Sequence, residues 1–481
     1  MTAEFVHELC LHLKAEYPLV FILSQEEKRA GECVKQAASE LEWDIVAPRK
    51  RGKTSPVANL LKYKSAEGAI VVLDDVHRRI DEPDTLRALA DLAERDEKGP
   101  RAAIIIAPWI DLPPELERLS AVLYLPLPAP DELVETLAQV CVELGVLFTD
   151  EDAATLVRAA QGLSEEEAIR AFKKAMIGWP EDALGALESV AEDKKRALRR
   201  SRVLETVVVP ANLDDVGGLD RLKDWLTSRG EAFSSQAKEF GLPAPRGLLL
   251  MGVQGCGKSL TAKAVAGYWR LPLIRLDLSS VFGSDRPEEA LRGALRVAEA
   301  MAPVVLWIDE IEKGFDQGGT GPAARLLGGM VTWLQEKQKE VFVVATANRV
   351  RDLPPELPRK GRFDEIFFVD LPNFHERIDI LKLHLKKHGR NPDVFSLEAL
   401  AKKADRFTGS ELEQLIISAM YSAFSRKLEL TDDDLLRALK ETVPLYDTFE
   451  QEIKSLREWA RRRARPASTD RRKIDLFAES T

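Results

Sequence analysis

Residues 245–266 read PRGLLLMGVQGCGKSLTAKAVA. The run Leu248 to Met251 is apolar and short, the pattern of a buried parallel strand. Gly252-Val253-Gln254-Gly255-Cys256-Gly257-Lys258-Ser259 then matches G-x-x-x-x-G-K-[ST], and Leu260 to Ala266 reads as a helix. Strand, glycine loop and helix together make a phosphate site out of what could otherwise be a glycine-rich turn with a stray lysine. Glycines at 252, 255 and 257 let the backbone turn tightly and aim its N–H groups at phosphate oxygens. The helix N-terminus adds partial positive charge. Lys258 is placed to reach the β- and γ-phosphates of a nucleotide such as ATP, and Ser259 to offer a hydroxyl to Mg²⁺.

The chain around this stretch has 481 residues, enough for about three domains. It is 45% hydrophobic and 31% charged, and no apolar run reaches the ~18 residues of a membrane span. The opening MTAEFVHELCLHLKAEY mixes acids and bases and reads as an amphipathic helix, with no pattern of an export signal. Cys10, Cys33, Cys141 and Cys256 are scattered without zinc spacing, which points to a reducing compartment, and a cytoplasmic location is expected. A net charge of −10 argues against a surface that grips nucleic acid all over, though it allows a local basic groove.

Upstream, residues 18–24 (PLVFILS), 43–46, 69–75 (AIVVLDD) and 102–107 (AAIIIA) read as strands separated by helical stretches, the rhythm of a parallel α/β sheet. Helical sequence follows from about 129 to 200. Gly52-Lys53-Thr54 resembles half a phosphate loop but has no strand before it, and it reads as part of a basic surface loop. The second half repeats the order of the first. DLPPEL occurs at 111–116 and again at 352–357, VVLDDV (71–76) answers LWIDEI (306–311), and GLSEEEAIRAFKKAM (162–176) answers TGSELEQLIISAM (408–420). These landmarks indicate an internal duplication. The copies diverge where chemistry would sit. After its first strand the first copy carries Gln25-Glu26-Glu27-Lys28 in place of glycines, and carboxylates there would repel a triphosphate. Ala107 also falls where the second copy has Asn348. The first half is therefore expected to keep the shape without binding nucleotide.

In the second half, the apolar strand VVLWIDE (304–310) ends in two acids. Asp309 is placed to hold Mg²⁺ through water and Glu310 to polarise an attacking water. The strand VFVVATAN (341–348) ends in Asn348, beside Glu310 by sheet geometry. Arg359 and Arg362 lie on a loop that cannot easily fold back to its own phosphates. That suits arginine fingers acting on a neighbouring subunit; the alternative is a surface ion pair with Asp364 or Glu365. Val281-Phe282, between a strand and a helix, is either a core anchor or an exposed gripping point. Residues 190–205 carry six basic side chains and read as a solvated linker helix, with nucleic-acid contact as the alternative. The segment 457–473 holds eight Arg/Lys against two acids and is expected to be a mobile, solvated tail.

Taken in order, DVGGLDRLKDWL, PRGLLLMGVQGCGKS, WIDE, ATANR and RKGRFD resemble the AAA ATPases over residues 214–440. The wording GVQGCGKSLTAKA and the inactive first half are most similar to the hypothetical-chloroplast-reading-frame group of that family. The resemblance implies Mg²⁺-dependent ATP hydrolysis by a ring, expected to be a hexamer, that remodels or threads a protein; a nucleic-acid substrate or an ATP-gated scaffold is the alternative. It implies that Asp215, Val216 and Gly217 line the adenine, and that residues 252–260, Gly252 through Leu260, hold the phosphates. Asp309 is implied as the metal-side acid with Ser259, Glu310 as the base and Asn348 as the first sensor. Arg359 and Arg362 become trans-acting fingers. His384 approaches ribose and base, Gly409 and Ser410 form the lid contact, and Phe282 sits on a pore loop. The sequence departs from the family pattern at Val253-Gln254, where Pro-Pro is common, at Cys256, where threonine is usual, and at Gly283-Ser-Asp-Arg after the aromatic.

The expected organisation is a degenerate ATPase-like α/β domain (1–128), its helical lid and linker (129–205), an AAA core (206–370) of parallel sheet with helices on both faces, a second helical lid (371–443), and a C-terminal helix with basic tail (444–481).

Overall fold

The computed structural model describes residues 2–46, 68–74, 76–94, 101–180, 182–200, 203–207, 212–314, 322–349, 353, 357 and 361–469. The loop at Gly52-Lys53-Thr54, the finger candidate Arg359 and most of the second DLPPEL lie outside them. The chain forms two compact units, Met1–Ala197 and Leu198–Thr481.

In the first unit, β1 (Leu19–Leu23), β2 (Ile45–Val46), β3 (Ile70–Asp74), β4 (Ala102–Ala107) and β5 (Ser120–Tyr124) form a parallel sheet in the order β2-β3-β4-β1-β5. β1 is buried along its whole length because both faces are covered. Val20 and Ile22 pack with Phe5, Leu9 and Val34, whereas Leu19 and Phe21 point the other way, toward Ile80 and Leu89. A helical subdomain from Pro130 onward closes around Phe172 on its own core.

The second unit contains β6 (Leu204–Val207), β7 (Gly247–Gly252), β8 (Leu273–Leu276), β9 (Val304–Ile308), β10 (Val341–Ala347), β11 (Glu365–Val369) and β12 (Arg465–Pro466). Their order is β12-β11-β7-β10-β9-β8-β6, parallel throughout except that β6 runs antiparallel to β8. With the edge strands β6 and β12 removed, the remaining five, numbered along the chain, follow the same 2-3-4-1-5 order as the first unit. The duplication inferred from DLPPEL is therefore a duplication of topology. Alternation splits the core cleanly: Leu248, Leu250, Phe342 and Val344 face helix Lys258–Trp269, and Leu249, Met251, Val343 and Ala345 face Leu291, Leu295 and Met330.

Two expectations are corrected. The basic segment is not a free tail throughout: Arg465–Pro466 pairs with β11 as an edge strand, and Ala467 is buried. Arg465 also faces Glu365 at 3.7 Å, so local pairing outweighs the compositional signal of a solvated tail. Phe282 ends a short helix, Leu278–Phe282, and is half-buried against the core, not an exposed point. Part of the basic helix has its charges engaged: Arg196 reaches Glu192 and Asp193, Lys195 reaches Glu192, and Lys194 is buried, while Arg199 is exposed.

Where the second unit has its glycine loop, the first has a filled site. Arg29 is buried after β1 and donates to Glu26 (3.1 Å), the Pro126 carbonyl (2.6 Å), Thr2 Oγ1 (2.7 Å) and Glu132 (3.3 Å). The other Glu26 oxygen accepts the Glu165 amide at 2.6 Å, at the N-terminus of helix Glu165–Gly178. A carboxylate thus occupies the helix-end position that suits an anion. Burial pushes the Glu26 carboxyl up, while Arg29 pulls it back. Removing one partner of such a pair leaves an uncompensated buried charge. Arg29→Ala is expected to cost about 3–5 kcal/mol, read as an earlier melting transition by calorimetry; an unchanged melt would show that the pair carries no weight.

Candidate functional site

The sheet order puts the carboxyl ends of β7, β10 and β9 side by side, which is where ligands bind in open parallel sheets. Three segments far apart in sequence thereby meet in one cleft of about 340 Å³. Its phosphate-loop wall is Gln254, Gly255, Cys256, Gly257, Lys258, Ser259 and Leu260. Its acidic end is Asp309, Glu310 and Asn348, and its far wall is Asp215, Val216, Gly217, His384, Gly409 and Ser410. Gly252 and Val253 do not line it; Gly252 ends β7, and Val253 packs behind with Tyr446, Ile453 and Leu456. That apolar seat accounts for a valine where proline is common. Arg362 does not line the cleft of its own unit.

The loop's backbone requires its glycines. Gly252 has φ +152°, and a Cβ there would lie 1.9 Å from the Val369 carbonyl oxygen. A Cβ on Gly255 would lie 2.3 Å from Ser410 Oγ, because the first turn of helix Gly409–Ser425 presses on the loop and the Ser410 amide donates to the Gly255 carbonyl at 3.0 Å. That helix is fixed by a capping box between Thr408 and Glu411. Lys258 curls back onto the Gly252 and Val253 carbonyls, 2.8 Å each. Burial pulls its ammonium down to about 8, and an anion in the cleft would oppose that pull. Burial pushes the Cys256 thiol up to about 12, which keeps it protonated and inert.

At the acidic end, Ser259 Oγ donates to Asp309 at 3.0 Å, and Thr346 Oγ1 donates to the same oxygen at 2.7 Å. Thr346 in turn accepts the Glu310 amide at 2.9 Å. Asn348 donates its side-chain amide to Glu310 at 2.7 Å and its backbone N–H to Glu312 at 2.8 Å. Lys313 pairs with the other Glu310 oxygen. Glu310 sits at φ +49°, a left-handed conformation that aims a non-glycine side chain off the strand end. Glu312 is buried, which pushes its carboxyl up. Two of these partners are absent from the sequence reading. Thr346, a lone hydroxyl in an apolar strand, was a visible signal; Glu312 was one acid among several and had none.

On the far wall, His384 Nδ1 stands 3.3 Å from Glu413, whose carboxylate also accepts Lys387 at 2.8 Å. Burial pulls the His384 imidazole below its ordinary value, against the opposing pull of Glu413. Ile380 and Leu383, one helical face with His384, complete an apolar wall that periodicity alone could equally have assigned to the lid core. Asp364, one of the ion-pair partners in the alternative reading of Arg362, accepts the Arg246 and Gly247 amides (2.7 and 3.1 Å). Arg362 is buried, and its Nε and Nη1 have no partner among the described residues.

A glycine cradle, a buried lysine and a serine hydroxyl converging with a strand-end aspartate form a site that fits a magnesium nucleotide, and the fold around it is that of a P-loop AAA+ domain. Comparison with known proteins agrees: residues 248–371 match the ATPase family associated with various cellular activities (AAA). Residues 5–125 and 131–201 match the N-terminal and second domains of SpoVK-like AAA ATPases. The chain belongs to the AAA ATPase family, in the group of the ycf46 AAA domain-containing proteins. It is 37% identical to the ycf46 protein of Guillardia theta over 95% of each chain. It is 38% identical to that of Trieres chinensis over 98% of this chain and all of the relative. A proteasome-activating nucleotidase of Aeropyrum pernix is 35% identical over 44% of this chain and 54% of its own. Among the described residues no helix is long and apolar enough to cross a membrane.

Proposed function

We propose that this protein hydrolyses ATP with Mg²⁺ as a ring of like subunits, six by family precedent, and uses the cycle to remodel or thread a protein. The observation that carries the reading is the continuous chain of hydrogen bonds from Ser259 through Asp309 and Thr346 to Glu310 and Asn348. It brings a metal-side acid, a candidate base and a polar sensor to one end of a phosphate cradle. In this reading Mg²⁺, when bound, offsets phosphate charge. Ser259 and Asp309 would hold it, and Lys258 would leave the loop carbonyls for the phosphates. Glu310, held by Asn348, would take a proton from water. Arg362, and Arg359 with it, would serve the neighbouring subunit's nucleotide. The catalytic part is proposed to span 206–443, and the chain before it, 1–205, which holds the filled first unit, to serve assembly or partner contact.

A protein substrate is favoured by the likeness to a proteasome-activating nucleotidase. The test is ATP turnover of the full chain with unfolded protein, with single-stranded DNA or RNA, or with neither, and Lys258→Ala as control. Stimulation by unfolded protein, with ATP binding lost in Lys258→Ala, is the expected result. Salt-sensitive stimulation by nucleic acid would transfer the substrate to that class.

A further inference from the structure

The segment Arg465–Thr469 follows helix Glu450–Arg463 and includes β12. Its contacts fall on the elements that carry both walls of the cleft's non-phosphate end, just outside the lining residues. The Ala467 amide donates to the Phe368 carbonyl on β11 at 2.9 Å, and the Ala467 carbonyl accepts the Leu222 amide at 3.1 Å. Ala467 is buried in the same cluster as Val216, Leu219 and Leu222. The Thr469 amide donates to Asp220 at 2.7 Å, and its hydroxyl donates to the second oxygen of that carboxylate. Asp220 opens helix Asp220–Thr227, directly after the loop that carries Val216 and Gly217 into the cleft. Burial pushes the Asp220 carboxyl up, but hydrogen bonds from Thr469 and from the Arg221 and Asp220 amides together hold it below its ordinary value.

The second anchor is Glu376. Ser468 donates its hydroxyl to Glu376 Oε1, which also accepts the Leu219 amide at 3.0 Å. Glu376 is buried, and it caps helix Phe374–Lys387, the helix that presents Ile380, Leu383 and His384 to the cleft. The loop is packed hard against it: a Cβ on Gly218, at φ +70°, would lie 2.4 Å from Glu376 Oε1, and one on Gly217 would lie 2.5 Å from Ile380. One short strap therefore pins the loop wall through Asp220 and the helix wall through Glu376.

We propose that Ser468 and Thr469 are positioning residues that set the spacing of the adenine-binding walls and so tune affinity for the base end of ATP, not for its phosphates. The proposal rests on the reading of Asp215–Gly217 as the adenine wall. Its physical basis is that a hydrogen bond to a carboxylate contributes more than one between neutral groups. Without the two hydroxyls, the Thr469 amide still reaches Asp220 and the Leu219 amide still reaches Glu376, but each carboxylate loses one donor and the strap loses its side-chain grip on both.

The test measures Kd for ATP, GTP and magnesium tripolyphosphate on the full chain by calorimetry. Variants are Ser468→Ala with Thr469→Val, Thr469→Ser as the conservative rescue, and Val216→Asp as a control on the adenine wall. The double variant should bind ATP about tenfold more weakly, lose ATP-over-GTP preference, and bind tripolyphosphate as the parent does; Thr469→Ser should behave as the parent. Unchanged ATP affinity in the double variant, with ATP binding weakened in Val216→Asp, overturns the strap alone. An equal loss for ATP and tripolyphosphate also overturns it, because that is general destabilisation. ATP affinity unaffected by Val216→Asp overturns both the adenine-wall reading and the strap. Ser468→Ala, which removes a single oxygen, carries the same readout if the double variant does not fold.

Discussion

Glu310→Gln should bind ATP as tightly as the parent chain and hydrolyse it about 10²–10⁴-fold more slowly. The substitution keeps the shape of the side chain and an oxygen for the Asn348 amide, which lies 2.7 Å from the carboxylate now. It removes the basic oxygen and the ion pair with Lys313. The cradle is untouched, because Lys258 and Ser259 make their contacts with Gly252, Val253 and Asp309. Binding and chemistry should therefore separate. Retained affinity with collapsed turnover, measured by nucleotide binding and phosphate release on one preparation, is the expected pair of results. Normal turnover would remove Glu310 as the base. Loss of affinity would show that the carboxylate supports the cradle instead.

Arg362→Ala should be comparably severe, about 10³–10⁵-fold in turnover if its guanidinium meets developing phosphoryl charge. The structural argument is an incomplete environment. Among the described residues, Arg362 is buried with Nε and Nη1 unpartnered, and Asp364, the nearest acid in sequence, has one carboxylate oxygen taken by the Arg246 and Gly247 amides. Buried guanidinium nitrogens without acceptors are costly, and an anion from outside the unit would relieve them. Arg362 is absent from its own cleft, so that anion would be the neighbour's nucleotide. Mixing Arg362→Ala with Glu310→Gln subunits tests the assignment: an intact Arg362 from one subunit then faces an intact Glu310 of the other, and activity should partly return. Verified co-assembly without recovery would place the role of Arg362 inside its own subunit.

How legible the site was depended on the range of the interaction that makes each part. The phosphate loop could be read because its glycines, Lys258 and Ser259 are consecutive and their task is local backbone geometry. The strand-end pair Asp309–Glu310 and Asn348 could be read because period and apolarity place strand ends. The lack of a glycine loop in the first unit was legible as Glu26 after its first strand. The buried Arg29 that fills the space was not, since its partners Thr2, Pro126 and Glu132 lie on both sides of it in the chain.

By itself, then, the sequence determined two α/β copies, one of them with a glycine phosphate loop, because strand period, glycine placement and charge sign act over a few residues. Only the tertiary structure decided that Thr346 joins Asp309 to Glu310, that Phe282 packs against the core, and that Arg465–Thr469 is stitched to Asp220 and Glu376. Each of those depends on which strands and helices become neighbours. A row of arginines reads as a solvated tail until an open sheet edge and the carboxylates of Asp220 and Glu376 stand next to it.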